Sequence, residues 1–227
     1  MTFTIVFDLD GTLVDTAPDL VAVTNAMLAE MNLPPLDLET GRVHAGRGAR
    51  ALLSAGMQAA GHPLPDESGW PELIAAFIAR YQARIADHSR PFPGVEEFLP
   101  LARAQGFRLA VCTNKKAHLA EALLAALSLR DHFDAVVGGD TTGKGKPDPA
   151  PLHHALKQCA SLPHRAVLIG DSMADVLAAR AAGVPSILAT WGYLDRPAPA
   201  FGADFAIDSL DDALPLLAEL SAGAALA

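Results

Sequence analysis

The chain has 227 residues, of which 51% are hydrophobic, 19% are charged and only 2 are cysteines. This composition excludes a disordered chain and a small scaffold held together by disulfides, because a chain of this length can bury a full core. The formal charge of −9 would repel the phosphate backbone of a nucleic acid, so we expect no nucleic-acid partner.

The chain carries no recognisable signal for export or membrane insertion. Residues 1–7 lack the basic residues of a signal peptide, and no apolar run approaches the roughly 20 residues that a membrane-spanning helix needs. Cys112 and Cys159 fit neither a CxxC pair nor a zinc pattern, and we interpret both as core residues. We therefore expect a cytoplasmic protein with no membrane partner. The sequence does not determine whether it is a monomer or a homodimer.

Short β-rich runs alternate with helical patterns along most of the chain. The continuous hydrophobicity of these runs is typical of strands that helices cover on both faces, and the alternation predicts a parallel sheet. The fold class predicted is therefore α/β, with a doubly wound, Rossmann-like core. The predicted strands are 4–7, 108–113, 135–138, 166–170 and 186–190.

The segment 15–90 departs from this alternation of strands and helices, because it contains helical periods and no convincing strand. Its first helix is indicated by Leu20, Val23, Met27, Leu28 and Met31, which fall on one helical face. A second helix is predicted from residue 48 or 49 to about 60, and a third from 71 to about 86. We therefore predict an α-helical cap domain at 15–90, inserted into a core of 1–14 and 91–227.

Two carboxylates stand directly after the first predicted strand, where Asp8 and Asp10 are separated by one residue. Ligands of doubly wound sheets bind beyond the carboxyl ends of the strands, and alternate residues of an extended chain share a face. Alone, such a pair is also typical of a turn or a helix cap. Neighbouring carboxylates repel each other unless a cation or proton lies between them, and their oxygens suit Mg²⁺.

A second acidic group follows the predicted strand 166–170. Asp171 reaches the same sheet edge, and Asp175 lies four residues later in the first turn of a predicted helix. An acid in a first turn needs no function, since the helix dipole already favours it there. Together with Asp8 and Asp10, however, these residues would complete an oxygen-rich site for Mg²⁺.

Two further strand ends supply donors that suit a phosphoryl group. Thr113 and Asn114 follow one strand, and Lys146 comes after the next. A hydroxyl, an amide and an ammonium group would hold phosphoryl oxygens and offset the charge that keeps one anion from attacking another.

The loop Gly46–Arg47–Gly48 lies within the helical insertion. Glycines allow close backbone approach, and the following helix start offers free N–H groups to an anion, so this loop is a candidate substrate site. Arg47 either binds a substrate carboxylate or is a solvated surface charge, and the sequence favours neither. A Rossmann dinucleotide loop is rejected here because no strand precedes the glycines.

These residues resemble the haloacid dehalogenase superfamily in order and spacing, and within it the phosphoglycolate phosphatases. The superfamily resemblance is carried by DLDGT (8–12), Thr113, Lys146 and GDSMAD (170–175). The resemblance to phosphoglycolate phosphatases is carried by VDTAPDL (14–20), GRGAR (46–50) and GKPDPAPL (145–152).

The resemblance implies a role for each matched residue. Asp8 would attack phosphorus and form a phospho-aspartate, while Asp10 would protonate the leaving group and then activate water. Mg²⁺ would be held by Asp8, the Asp10 carbonyl and Asp171, with Asp175 acting through water or by positioning Lys146. Thr12 is included among the candidate substrate-binding residues, and the helical insertion would be a mobile cap.

We therefore expect a Mg²⁺-dependent phosphomonoesterase whose substrate is a small phosphorylated metabolite, with 2-phosphoglycolate as the leading candidate. Three alternatives remain: a phosphatase for a sugar phosphate, a phosphosugar mutase of the same superfamily, and a phosphometabolite-binding protein without activity. Dehalogenation is disfavoured, because attack on carbon does not need a second acid at Asp10.

Overall fold

A six-stranded parallel sheet forms the centre of the protein, as seen in a computed structural model that describes residues 2–224. The spatial order of its strands is β5-β4-β1-β6-β7-β8. These strands are Thr4–Phe7 (β1), Arg108–Cys112 (β4), Ala135–Val137 (β5), Ala166–Gly170 (β6), Ser186–Ala189 (β7) and Phe205–Ile207 (β8).

Alternate residues of the central strand β1 face two separate apolar layers. Ile5 and Phe7 belong to one layer, whose helices are Val95–Ala104 (α5), Ala117–Ala126 (α6) and Ala213–Gly223 (α9). Val6 belongs to the other layer, which is covered by Ala150–Gln158 (α7) and Met173–Ala182 (α8). Both faces of the sheet are therefore buried, which explains the continuous hydrophobicity of its strands and confirms the predicted doubly wound core.

Four helices form the inserted cap and share an apolar cluster to which Leu119 and Tyr193 of the core also contribute. They are Ala17–Glu30 (α1), Leu38–Ala45 (α2), Ala49–Ala59 (α3) and Trp70–Gln82 (α4). Helix α2 was not predicted from the sequence, because few of the residues in this helix are apolar. This helix begins where Asp37 accepts hydrogen bonds from the N–H groups of Glu39 and Thr40, and it packs through Gly41 against Val21.

Two very short strands connect the cap to the core. Val14–Asp15 (β2) pairs antiparallel with Arg90–Pro91 (β3), so the chain leaves the core and returns to it side by side. We propose that this ribbon marks the domain boundary, with the cap at 15–90 and the core at 1–14 and 91–227.

Within residues 2–224, no helix combines the length and the apolar character that crossing a membrane would require. Cys112 and Cys159 are both buried in the apolar layer that α7 and α8 cover.

Candidate active site

The candidate site lies at the carboxyl end of β1, where the strand order changes direction. The strands β4 and β6 flank β1, so the chain connections on its two sides diverge and leave a crevice. Asp8, Thr113 and Asp171 directly follow these three neighbouring strands. Parallel pairing therefore brings together side chains that are between 58 and 163 residues apart along the chain.

Lys146 supplies a buried cation beside Asp8. Its Nζ lies 2.9 Å from Oδ1 of Asp8 and donates a hydrogen bond to Oδ1 of Asp175 at 2.6 Å. The Lys146 side chain is 1% exposed. The two carboxylates raise the pKa of Lys146 above its ordinary value despite burial, so the ammonium group stays charged.

Three buried carboxylates form a candidate metal site. Asp8, Asp171 and Asp175 each place one oxygen within 4.8 Å of the others. Burial raises the pKa of Asp8 to about 6, although Lys146 opposes the shift. Burial and the charges of Asp8 and Asp175 raise the pKa of Asp171 well above its usual range. Three carboxylates against one ammonium leave a formal charge of −2, which a divalent cation would neutralise.

The carboxylate of Asp171 is fixed by two donors. Oδ1 accepts a hydrogen bond from the Thr12 hydroxyl at 2.9 Å, and Oδ2 accepts one from the backbone N–H of Tyr193 at 2.7 Å. Gly11 and Gly192 pack so closely against Asp171 that a Cβ atom at either position would clash with its side chain. The Thr12 hydroxyl thus orients Asp171, a candidate metal ligand. The predicted contact of Thr12 with substrate stays a prediction.

Asp175 contacts both the start of helix α8 and Lys146. Its Oδ2 accepts hydrogen bonds from the N–H and hydroxyl groups of Ser172, which forms a capping box at the start of α8. Its Oδ1 binds Lys146. One carboxylate therefore caps a helix and positions a cation in the candidate site.

The Asp10 side chain is not part of the carboxylate cluster and binds other partners. Oδ1 accepts hydrogen bonds from the Thr16 hydroxyl at 2.6 Å and from Nζ of Lys115 at 2.8 Å. This orientation leaves only the Asp10 carbonyl for the predicted part in the metal site. Sequence reasoning missed Lys115, although its position two residues after Thr113 placed it beside the same strand end.

Thr113 and Asn114 both form local hydrogen bonds. The Thr113 hydroxyl accepts from the N–H of Lys115 at 3.2 Å, and the Asn114 amide donates to the Lys146 carbonyl at 2.9 Å. Asn114 therefore links the loops that follow β4 and β5. Their predicted contacts with phosphoryl oxygens stay predictions.

The cap loop Gly46–Arg47–Gly48 faces the core across the crevice. Arg47 forms an ion pair with Asp195, which lies in the loop after β7. Gly48 has a φ of 84° and precedes α3, so the loop turns sharply before the helix begins. Asp195 was not among the residues identified from the sequence, because nothing in the chain order links it to a cap loop.

Two cavities lie between the cap and the core and share Gly46, Arg47 and Asn114 in their walls. The first, which we call the Lys115 cavity, has a volume of about 330 Å³ and includes Asp10. The second, the Asp171 cavity, has a volume of about 340 Å³ and includes Asp8. A molecule that reaches Asp8 therefore also has access to the neighbourhood of Asp10.

Comparison with known proteins identifies the family to which this fold and site belong. The family model described as haloacid dehalogenase-like hydrolase matches residues 5–189. A phosphoglycolate phosphatase of Caulobacter vibrioides is 50% identical over 209 residues, covering 92% of this chain and 88% of the relative. The chain therefore belongs to the haloacid dehalogenase-like hydrolase family, which confirms the resemblance found in the sequence.

Solved structures give the same result. A crystal structure of a predicted phosphoglycolate phosphatase from Haemophilus somnus superimposes with a TM-score of 0.86 at 31% identity, covering 95% of this chain and 97% of the other. CbbY from Rhodobacter sphaeroides, solved in complex with xylulose-1,5-bisphosphate, has a TM-score of 0.74 at 28% identity and covers 92% and 95% of the two chains.

Proposed function

We propose that the protein is a Mg²⁺-dependent phosphomonoesterase that acts through a phospho-aspartate on Asp8. The observation that carries this proposal is the pairing of Asp8 with a buried Lys146 inside a cluster of three carboxylates. A phosphoryl group carries negative charge, so a carboxylate can attack it only where cations offset the repulsion. The described site has one such cation and a donor set suited to a second.

Mg²⁺ fits the donor set, because it is a hard cation that prefers oxygen ligands and keeps part of its water shell. Asp8, Asp171 and the Asp10 carbonyl would hold it, and Asp175 would contribute through water or through Lys146. When bound, it would neutralise charge on the phosphoryl oxygens and strengthen Asp8 as an ionised nucleophile.

In the proposed reaction, an Asp8 oxygen forms a bond to phosphorus while the bond from phosphorus to the substrate oxygen breaks. Asp10 gives its proton to the departing alkoxide. Asp10 then takes a proton from water as that water attacks phosphorus, which releases phosphate and regenerates Asp8. The hydrogen bonds of Asp10 to Thr16 and Lys115 hold its carboxylate on the cap side, where a leaving group would emerge.

2-Phosphoglycolate is the substrate we propose. The curated relative at 50% identity is named a phosphoglycolate phosphatase, and cations outnumber anions in the wall of the Lys115 cavity. Such a wall favours a substrate with a second negative group beyond the phosphate.

A sugar phosphate is the second candidate, because the Lys115 cavity is larger than a two-carbon acid requires and CbbY was solved with a sugar bisphosphate. A volume of about 330 Å³ corresponds to on the order of ten water molecules at 30 Å³ each. A mutase would use the same residues but return the phosphoryl group to a sugar.

The decisive experiment measures phosphate release from 2-phosphoglycolate, xylulose 1,5-bisphosphate, glucose 6-phosphate and a nucleotide, with Mg²⁺ or with EDTA. We expect Mg²⁺-dependent release that is fastest from 2-phosphoglycolate. Asp8→Asn should reduce release to background. Asp10→Asn should slow release from 2-phosphoglycolate by about 10²–10⁴-fold, but affect p-nitrophenyl phosphate less, because its leaving group needs little protonation.

Each part of the proposal can fail separately. Fastest release from a sugar phosphate would refute the substrate and leave the mechanism intact. Full activity of Asp8→Asn, or activity in EDTA equal to that in Mg²⁺, would refute the mechanism. Conversion of a sugar phosphate into its isomer without net phosphate release would favour the mutase.

A further inference from the structure

The two cavities at the crevice carry opposite charge. The wall of the Asp171 cavity contains three carboxylates against two guanidinium groups, those of Arg47 and Arg196. The wall of the Lys115 cavity contains four cations, and its only acidic residue within 2–224 is Asp10. A substrate carboxylate is therefore attracted to the Lys115 cavity and repelled from the other.

Three of the four cations in the Lys115 cavity are poorly placed to recognise a carboxylate. Arg47 is paired with Asp195, and its side chain is 52% exposed. Arg50 is paired with Glu67 and is also half-exposed. Lys116 is exposed at the start of α6. Water screens such charges, so they contribute little to specific binding.

Lys115 differs because its ammonium group is buried. Its side chain is 6% exposed, Nζ lies 2.8 Å and 3.0 Å from the two oxygens of Asp10, and Nζ stands 4.6 Å from the ring centre of Tyr81. A lysine ammonium has three donors; two hydrogen bonds go to Asp10, and the Tyr81 hydroxyl lies beside the same ammonium group. An ammonium held between a carboxylate and an aromatic face retains capacity for a second anion.

A second feature of the same wall also indicates a ligand. The hydroxyl of Tyr81 is buried and has no hydrogen-bond partner among the described residues. Leaving a buried hydroxyl without a partner is unfavourable, so such groups in a cavity wall commonly meet a ligand or water. A carboxylate beside Lys115 would offer the acceptor that the Tyr81 hydroxyl lacks.

We propose that Lys115, assisted by the Tyr81 hydroxyl, binds the carboxylate of the substrate and makes the enzyme selective for phosphorylated acids. This proposal rests on the phosphatase function proposed above, and it replaces Arg47 by Lys115 as the principal carboxylate-binding residue. The spacing is suitable: only Leu9 separates Asp8 from Asp10, so their Cα atoms lie at most about 7 Å apart, and Lys115 binds Asp10. A substrate with one carbon between its ester oxygen and carboxylate is short enough to span such a gap.

The test compares 2-phosphoglycolate with 2-hydroxyethyl phosphate, in which a neutral hydroxymethyl group replaces the carboxylate. Lys115→Met should lower kcat/KM for 2-phosphoglycolate by about 10²-fold, mainly through KM, as expected for loss of a charged hydrogen-bond donor. Any loss through misplacement of Asp10 would affect both substrates alike. The preference for the acid over the neutral ester should therefore fall at least tenfold.

Lys116→Met is the matched control, since it removes the same charge from an exposed position in the same wall. It should change the preference less than threefold. An equal loss in both lysine variants would indicate a general field effect and overturn the proposal. Equal losses for the two substrates in Lys115→Met would show that Lys115 only positions Asp10, which also overturns it.

Tyr81→Phe provides a second test if Lys115→Met does not fold, because it removes only a hydroxyl whose O–H group has no acceptor among the described residues. It should raise KM for 2-phosphoglycolate about fivefold or more and leave KM for 2-hydroxyethyl phosphate unchanged. An unchanged preference would contradict the proposal.

Failure of the proposed substrate would be recognised in the unmodified protein as faster release from another phosphomonoester. Glycolate then serves as an inhibitor of that reaction. Weakening of its inhibition at least tenfold by Lys115→Met would support a carboxylate site at Lys115, and an unchanged inhibition constant would overturn it.

Discussion

At the residue scale, the candidate site concentrates charge that the fold cannot neutralise by itself. Lys146 is the buried counter-ion of a cluster formed by Asp8, Asp171 and Asp175. Burial disfavours the ionised forms of Asp8 and Asp171 and raises the pKa of both. Because Lys146 lies between two carboxylates, we expect its loss to affect activity, stability and the pKa of Asp8 together.

Lys146→Met should lower phosphate release by at least about 10²-fold and destabilise the metal-free protein by about 3–5 kcal/mol, because it leaves buried carboxylates unpaired. Loss of the counter-charge should also raise the pKa of Asp8 above about 6. Urea unfolding and the acid limb of the pH–rate profile measure these effects. Lys144→Met, two residues earlier and exposed, serves as the control. Equal stability of the two variants would contradict the role of Lys146.

Asp171→Asn should raise the stability of the metal-free protein at pH 7.5. The pKa of Asp171 is higher in the folded protein than in the unfolded chain, so its ionised form opposes folding above the folded pKa. As pH falls below that value, Asp171 becomes protonated in the folded protein, and the penalty decreases until it is gone below the ordinary carboxyl pKa of about 4. The difference in free energy of unfolding between variant and wild type should therefore shrink toward pH 4.

Urea unfolding in EDTA across this pH range checks the prediction for Asp171. A variant that is less stable than wild type at pH 7.5, or a difference that does not vary with pH, would contradict it.

At the scale of elements, Tyr193 connects the β2–β3 ribbon to the candidate site. The Tyr193 hydroxyl accepts hydrogen bonds from the N–H groups of Thr16 and Ala17 at the start of α1, at 2.7 Å and 2.9 Å, and donates one to Asp15. The Tyr193 backbone N–H binds Asp171. A single residue therefore connects a candidate metal ligand to the entrance of the cap.

Tyr193→Phe should destabilise the protein by about 1–3 kcal/mol, since it leaves two buried N–H groups at the start of α1 without their acceptor. Tyr81→Phe is a matched control for stability, because it removes a buried hydroxyl that has no partner among the described residues. Thermal and urea unfolding in EDTA measure both variants. A loss of stability in Tyr81→Phe as large as that in Tyr193→Phe would refute this account.

At the scale of the whole molecule, cap and core meet over a charged crevice. The Arg47–Asp195 ion pair joins the cap to the core directly, and Arg42 extends the network by binding Asp15 at 2.7 Å. A cation bound by Asp8 and Asp171 would reduce the repulsion among the carboxylates on the core side of this interface. Metal binding should therefore stabilise the whole fold.

Mg²⁺ at about 100 times its dissociation constant should stabilise the protein by about 2.7 kcal/mol, which corresponds to a rise of about 5–10 °C in Tm for a chain of this size. EDTA should reverse the rise, and Asp171→Asn should abolish it. Asp131→Asn, which changes an exposed acid of the core, should retain it. A Tm that does not respond to Mg²⁺ would contradict the proposed metal site.

Much of this organisation was predictable from the sequence because local patterns carry it. The buried runs of β1, β4 and β6 are continuous in hydrophobicity, and Asp8, Thr113 and Asp171 follow them directly. Helix α2 and strand β8 were missed because neither has a strong apolar pattern of its own; two of the three β8 residues are exposed. Their stability comes from packing and capping, which local hydrophobicity does not reveal.

The sequence by itself determined the fold class, the family and the set of polar residues at the sheet edge, since each depends on the order and spacing of residues along the chain. Only the tertiary structure decided which way those side chains point. It turned Asp10 toward Lys115, placed Lys146 between Asp8 and Asp175, and paired Arg47 with Asp195. Such pairings join residues that are distant in sequence, and their geometry follows from how strands and cap helices pack, which no local pattern encodes.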